Sequence, residues 1–199
     1  MKYDVFIVSA QADQALIDIV VRKLRALKFK VRQDTSRTHT TPKPKDIRDA
    51  NDAGTVLVAW SKAACDTTSA DSDWIHAMAH LARSRGDALV QLALDGTTPD
   101  APFAAEAALS LAGLTPRKSV PGLAALITRL EQRTGRGGLN DWLALKPRDT
   151  AARAVWKARY PDDPISRAGK ASKRSKAARA PRAASRTAQP TPPLTLNPP

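Results

Sequence analysis

The chain has 199 residues, a formal net charge of +13 and a single cysteine, Cys65, and nowhere does an apolar run approach the roughly 18 residues a membrane span needs. That length allows one domain with a real core, the lone cysteine excludes an internal disulfide framework, and the N-terminus shows no cleavage pattern, so a soluble cytoplasmic protein is expected. Residues 1–136 carry 19 Lys/Arg against 15 Asp/Glu, 137–165 carry 5 against 4, and 166–199 carry 8 against none, which makes the basic character a property of the tail.

Tyr3 to Val8, YDVFIV, is a continuous β-branched and aromatic run that predicts a strand covered on both faces, the central one of a sheet. Asp13 then precedes Leu16, Ile19, Val20, Leu24 and Leu27, a helical stripe with Asp18, Arg22, Lys23 and Arg25 off it. Lys28 to Gln33 alternates Phe29 and Val31 with charged residues and ends at Asp34, the pattern of a short strand near a sheet edge. Strand, helix, strand in this order implies a right-handed crossover. Thr35 to Lys45, TSRTHTTPKPK, is polar, holds two prolines and reads as an exposed, mobile loop carrying Arg37, His39, Lys43 and Lys45. Ile47, Ala50 and Ala53 give a short, weakly apolar helix.

The stretch Thr55 to Ala82 organises the rest. Thr55 to Trp60 is too short for a helix and rich in β-branched residues, so it reads as a buried strand. After a polar loop, Ser72 can cap a helix starting at Asp73, along which Trp74, Met78 and Leu81 recur at i, i+4 and i+7 with His76, His80 and Arg83 off the stripe. A strand that runs through Ser61 into a loop and helix is the unit from which ligand clefts of open parallel sheets are built. Ala88 to Leu94 supplies another strand, ended by the Asp95-Gly96 turn. Pro102 to Leu111 is alanine-rich and reads as a helix, with the next strand somewhere in Leu114 to Val120. Leu123, Leu126, Ile127 and Leu130 give a helix closing near Gly135. The alternation predicts an α/β fold, a doubly wound, mostly parallel five-stranded sheet, over residues 1–136. Residues 137–165 hold Trp142, Leu143, Leu145, Val155, Trp156 and Tyr160, too apolar for a free linker, and read as a docked helical extension with a helix over Thr150 to Arg159. Residues 166–199 have almost nothing to bury and read as a basic disordered tail.

In this order, several strings resemble a TIR domain of the bacterial type over about residues 1–136. Tyr3-Asp4-Val5-Phe6-Ile7 is similar to the family's opening strand, Val31 and Asp34 to its V-x-x-D, Val56 to Ser61 to its third strand with the serine after it, Ser72-x-Trp74 to its S-x-W, and Leu92 to Pro102 to its fourth strand and turn. Thr35 to Lys45 stands where the family has its interaction loop. The resemblance implies either a scaffold that assembles with other TIR domains or with itself, or an enzyme that cleaves NAD at the nicotinamide bond. In the enzymes a glutamate four residues after the S-x-W tryptophan holds the ribose hydroxyls and stabilises positive charge on the sugar. Met78 occupies that position here, and a thioether is a poor acceptor without charge. Val8-Ser9-Ala10 also stands where the family commonly has Ser-Tyr-Ser.

With Met78 at that position, the resemblance implies a signalling or scaffold module without its own catalytic residue. Arg37, His39, Lys43 and Lys45 are its candidate partner contacts, and Ser9, Asp34, Ser61, Trp74 and Met78 the residues of a cleft that could hold NAD or ADP-ribose. An NAD hydrolase using a non-standard carboxylate, such as Asp71 or Asp73, is the alternative, because Glu106 and Glu131, the only glutamates, fall in later helices. A third reading has the tail, with Lys170, Lys173, Arg174 and Lys176 clustered, contact nucleic acid or an anionic surface through charge alone. His76 and His80 at i, i+4 read as exposed residues of a solvated face rather than a metal pair, and Cys65 as an unreactive thiol. Gly135-Arg136-Gly137-Gly138 lacks the flanking strand and Lys-Ser/Thr of a phosphate loop and reads as a linker.

Overall fold

The strands β1 (Tyr3–Val8), β2 (Val31–Gln33), β3 (Ala53–Trp60), β4 (Leu89–Ala93) and β5 (Ala108–Ser110) form one parallel sheet in the order β2-β1-β3-β4-β5. This is seen in a computed structural model that describes residues 1–34 and 40–168. The middle strand is β3, with β1 beside it, so the expectation that Tyr3 to Val8 is central shifts by one place. Both strands are covered twice. Val5, Ile7, Leu57 and Ala59 face α1 (Gln14–Ala26) and α4 (Pro121–Thr134), while Phe6, Val8, Val56, Val58 and Trp60 face α2 (Pro44–Asn51) and α3 (Ala70–Ser84). An unbroken apolar run is what a strand needs when helices lie on both of its faces.

Four further expectations need correction. Ser69, not Ser72, caps α3, its side chain accepting from the Asp71 backbone N–H, and Ser72 is buried inside the first turn. Ala53 opens β3 rather than closing the helix before it. Pro102 to Leu111 is not a helix: it makes one tight turn at Phe103–Ala105 and then becomes β5, and no strand forms in Leu114 to Val120. Alanine favours a helix locally, but pairing to β4 at Gln91, Leu92 and Ala93 decides the outcome.

The extension docks on the α1/α4 face. Trp142 from α5 (Leu139–Ala144) and Trp156 from α6 (Thr150–Arg159) pack with tilted rings, centroids 4.9 Å apart, Tyr160 extends the cluster at 4.8 Å, and Trp156 Nε1 donates to the Gly138 carbonyl at 2.6 Å. Arg136 is the clamp. It donates to both Asp163 oxygens at 2.8 and 3.0 Å and to the Leu27 carbonyl at 2.7 Å, and its guanidinium lies over the Phe29 ring. The Gly-Arg-Gly-Gly run is therefore a pinned junction and not a free linker. Ser166 is buried and donates to the Tyr160 carbonyl at 2.7 Å, so the docked segment continues past the boundary that composition placed at residue 166. Residues 169–199 lie outside the described residues.

Gly135 and Gly138 both have left-handed backbones, with φ of 65° and 70°. A Cβ on Gly135 meets nothing, whereas one on Gly138 would lie 2.5 Å from the Tyr160 ring. In urea unfolding, Gly135→Ala should cost about 1–2 kcal/mol for the backbone alone, and Gly138→Ala about 1–3 kcal/mol more for displacing Tyr160.

Candidate functional site

Strand order changes direction between β1 and β3, and in open sheets of this winding the ligand crevice falls at the carboxyl ends of the strands at that point. Ser9 follows β1 and Ser61 follows β3, both buried, at 7% and 2% exposure. Ser61 Oγ donates to Asp13 Oδ2 at 2.5 Å and accepts from the Ala64 N–H at 3.1 Å. Asp71, at the start of α3, accepts from the Gln11 N–H at 2.7 Å. Asp95, after β4, accepts from the Lys62 N–H at 2.9 Å and the Thr97 N–H at 2.8 Å. Carboxylates thus join the three loops that rim the crevice.

Their electrostatics differ. Burial pushes the Asp13 carboxyl above its ordinary value, the Ser61 hydrogen bond opposes this in part, and Asp95 and Asp71 add repulsion. Asp95 is held below its ordinary value, chiefly by the backbone N–H of Lys62. The Cys65 thiol is pushed up by burial and then by Asp100 and Asp95, which keeps it from the thiolate a nucleophile needs.

The residues singled out from sequence divide into two groups. Ser9 and Ser61 lie buried at the carboxyl ends of β1 and β3, and Asp34 follows β2, half-buried, at the same end of the sheet. Trp74 and Met78, by contrast, are fully buried among Phe6, Val8, Val56, Val58 and Trp60. Trp74 Nε1 donates to Asp46 Oδ2 at 3.4 Å, and Asp46, at the first turn of α2, also accepts from the Lys43 N–H at 2.9 Å. A nucleotide could touch Met78 only if this interior opened. Lys43 and Lys45 are exposed at the start of α2, while Arg37 and His39 lie outside the described residues.

The histidine reading changes for His76, while His80 is exposed as expected. His76 is not exposed but half-buried: its ring lies 5.2 Å from Trp60 and 6.2 Å from Phe103, and Nδ1 donates to the Ser72 carbonyl at 2.9 Å. His80 packs edge-on against Phe103 at 4.9 Å. Among the described residues no three His, Cys, Asp or Glu side chains come together as a metal set, and no helix is long and apolar enough to cross a membrane.

A polar chain that sequence reasoning missed runs beside the crevice. Trp60 Nε1 donates to Gln91 Oε1 at 2.6 Å, and Gln91 Nε2 donates to Glu106, which also accepts from Arg83 at 2.6 Å. Glu106 belongs to the extended approach to β5 rather than to a helix, and with Trp60 and Asp95 it borders a cleft of about 320 Å³. A polar Gln91 inside the apolar run Ala88 to Leu94 was the available signal. Comparisons with protein families and with curated proteins return no match.

Asp13 gives a pH test. With its folded value above the ordinary 3.8, the native state keeps a proton that the unfolded chain has lost, so stability falls as pH rises from about 4 through the folded value and stays lowered above it. Asp13→Asn retains an acceptor for Ser61 without the charge. Its unfolding free energy should fall less over that window than that of the natural protein, as measured by urea titrations at a series of pH values.

Proposed function

We propose that this chain is a TIR-like interaction module that assembles with copies of itself through the face carrying Lys43 and Lys45, and that it does not cleave NAD. The observation that carries the reading is Met78. At the position where the resemblance calls for a catalytic glutamate, the side chain is a thioether with no exposed surface, enclosed by Trp74, Trp60 and Val58. Nearby carboxylates do not stand in for it. Asp13, Asp71 and Asp95 accept hydrogen bonds from groups on neighbouring loops, and Asp46 accepts from Trp74 and Lys43. Stabilising an oxocarbenium ion needs a negative charge aimed at the reacting carbon, and a carboxylate engaged in tying neighbouring segments together is not so aimed.

The strand order and the string of Ser61, Ser72 and Trp74 support the family resemblance, and the exposed lysines at the start of α2 supply its interaction chemistry. Rim cations of this kind steer encounter and fix register more than they add affinity. In this reading a nucleotide would be sensed at the carboxyl ends of β1 and β3, where Ser9 and Ser61 stand, with ADP-ribose as the ligand to try.

Sedimentation of the full chain at low salt tests the proposal. Self-association should be detectable and should weaken about tenfold in the Lys43→Glu, Lys45→Glu double variant, the loss expected for reversing two steering charges near an interface. The melting temperature should stay within about 2 °C, since both side chains are exposed. Unchanged association in the variant, or a strictly monomeric natural chain, would remove this face from the account.

A further inference from the structure

At the other end of the sheet, across the amino end of β4, an open cleft of about 770 Å³ lies between the end of α3 and the last turns of α4. It exists because β5 is short: pairing to β4 begins at Gln91, so Leu89 and Val90 have no neighbour on that side. Arg83 and Ser84 of α3 line one wall, and Arg129, Gln132 and Arg133 of α4 the other.

The cations are unequally engaged. Arg83 is paired with Glu106 at 2.6 Å. Arg133 donates from Nη1 alone, to Thr55 Oγ1 and the Ala88 carbonyl, both at 3.1 Å. Arg129 is half-buried and has no hydrogen bond or ion pair among the described residues, although a guanidinium carries five N–H donors. Arg129 and Arg133 are also four residues apart on one helix face, where like charges repel. Burial lowers Arg133 from its ordinary value, Asp87 offsets part of this, and Arg129 adds to the lowering. Asp87 and Glu106 are the only acids in the wall, and Glu106 is already shared by Arg83 and Gln91.

We propose that this cleft binds a small phosphate-bearing ligand, held by Arg129 and Arg133 with Arg83 opposite. Guanidinium forks match phosphate oxygens two at a time, which would satisfy the donors of Arg129 and relieve the repulsion between the two arginines. The volume falls in the range of small-molecule sites, and the lining is polar apart from Leu89, which suits a phosphorylated metabolite better than an apolar ligand. The site is remote from Lys43 and Lys45 and does not depend on the module proposal.

The test is calorimetric titration of the full chain with inorganic pyrophosphate at moderate salt, beside Arg129→Gln and with citrate as a second probe. Arg129 has no internal bond to lose, so this variant should melt with the natural protein. Saturable binding of pyrophosphate, weakened about tenfold or more in Arg129→Gln and tighter than binding of citrate, is the expected result. Absence of saturable heat, equal binding by the variant, or citrate bound as tightly as pyrophosphate would each overturn the assignment. Equal binding by the variant would trace the heat to other basic residues.

Discussion

Three carboxylates, two from loops and one from the first turn of α3, hold the carboxyl end of the sheet together. Asp13 takes the hydroxyl of Ser61, Asp71 takes the backbone N–H of Gln11, and Asp95 takes the backbone N–H of Lys62. Each bond crosses from one strand's loop to another's, so together they fix the rim of the crevice where a ligand of this fold would lie. A hydrogen bond to a charged acceptor contributes roughly 1.5–3 kcal/mol, and a loop that loses its tie leaves a polar group to be satisfied by water. The same fact bears on chemistry. A carboxylate that positions backbone is an organiser of the crevice, and no carboxylate stands at the position of Met78.

Met78 belongs to the core. The α2/α3 face packs Trp74, Ile75, Met78 and Ala79 against Phe6, Val8, Val56 and Val58, and buried Asp46 accepts the indole N–H of Trp74 at its border. That bond ties α3 to α2, and Asp49 on the next turn of α2 pairs with Arg32 of β2 at 2.9 Å. The start of α2, with its exposed lysines, is thus braced from two sides by buried acids. A surface held this way loses little entropy when a partner docks, which suits a rigid contact face.

How much of this is legible in the sequence depends on whether local pattern or tertiary pairing decides an element. Tyr3 to Val8 and Thr150 to Arg159 are readable to the residue because an unbroken β-branched run and an amphipathic decapeptide each carry their periodicity within their own residues. Residues 102–111 mislead because three residues pair only at the sheet edge, where β4 and not alanine's helix preference sets the conformation. Ser72 misleads as the cap of α3 because the helix begins three residues earlier, behind Ser69. Within the site, Ser9, Asp34 and Ser61 are legible as strand ends. The roles of Asp71, Asp95 and Gln91 are not, because each depends on a partner from a distant loop or segment, at separations such as 60 residues for Asp71 and Gln11. The arginine cleft is equally hidden, since Arg83 and Arg129 meet only through the fold.

In the proposed module the carboxylates of the crevice tie loops and Met78 leaves it without a catalytic one. The most direct test is nicotinamide release from NAD by the purified full chain at high concentration, with and without a crowding agent. No release above the spontaneous rate is predicted under either condition. Sustained release proportional to protein concentration would contradict the claim, and would require a carboxylate now assigned to holding the rim to act on substrate instead.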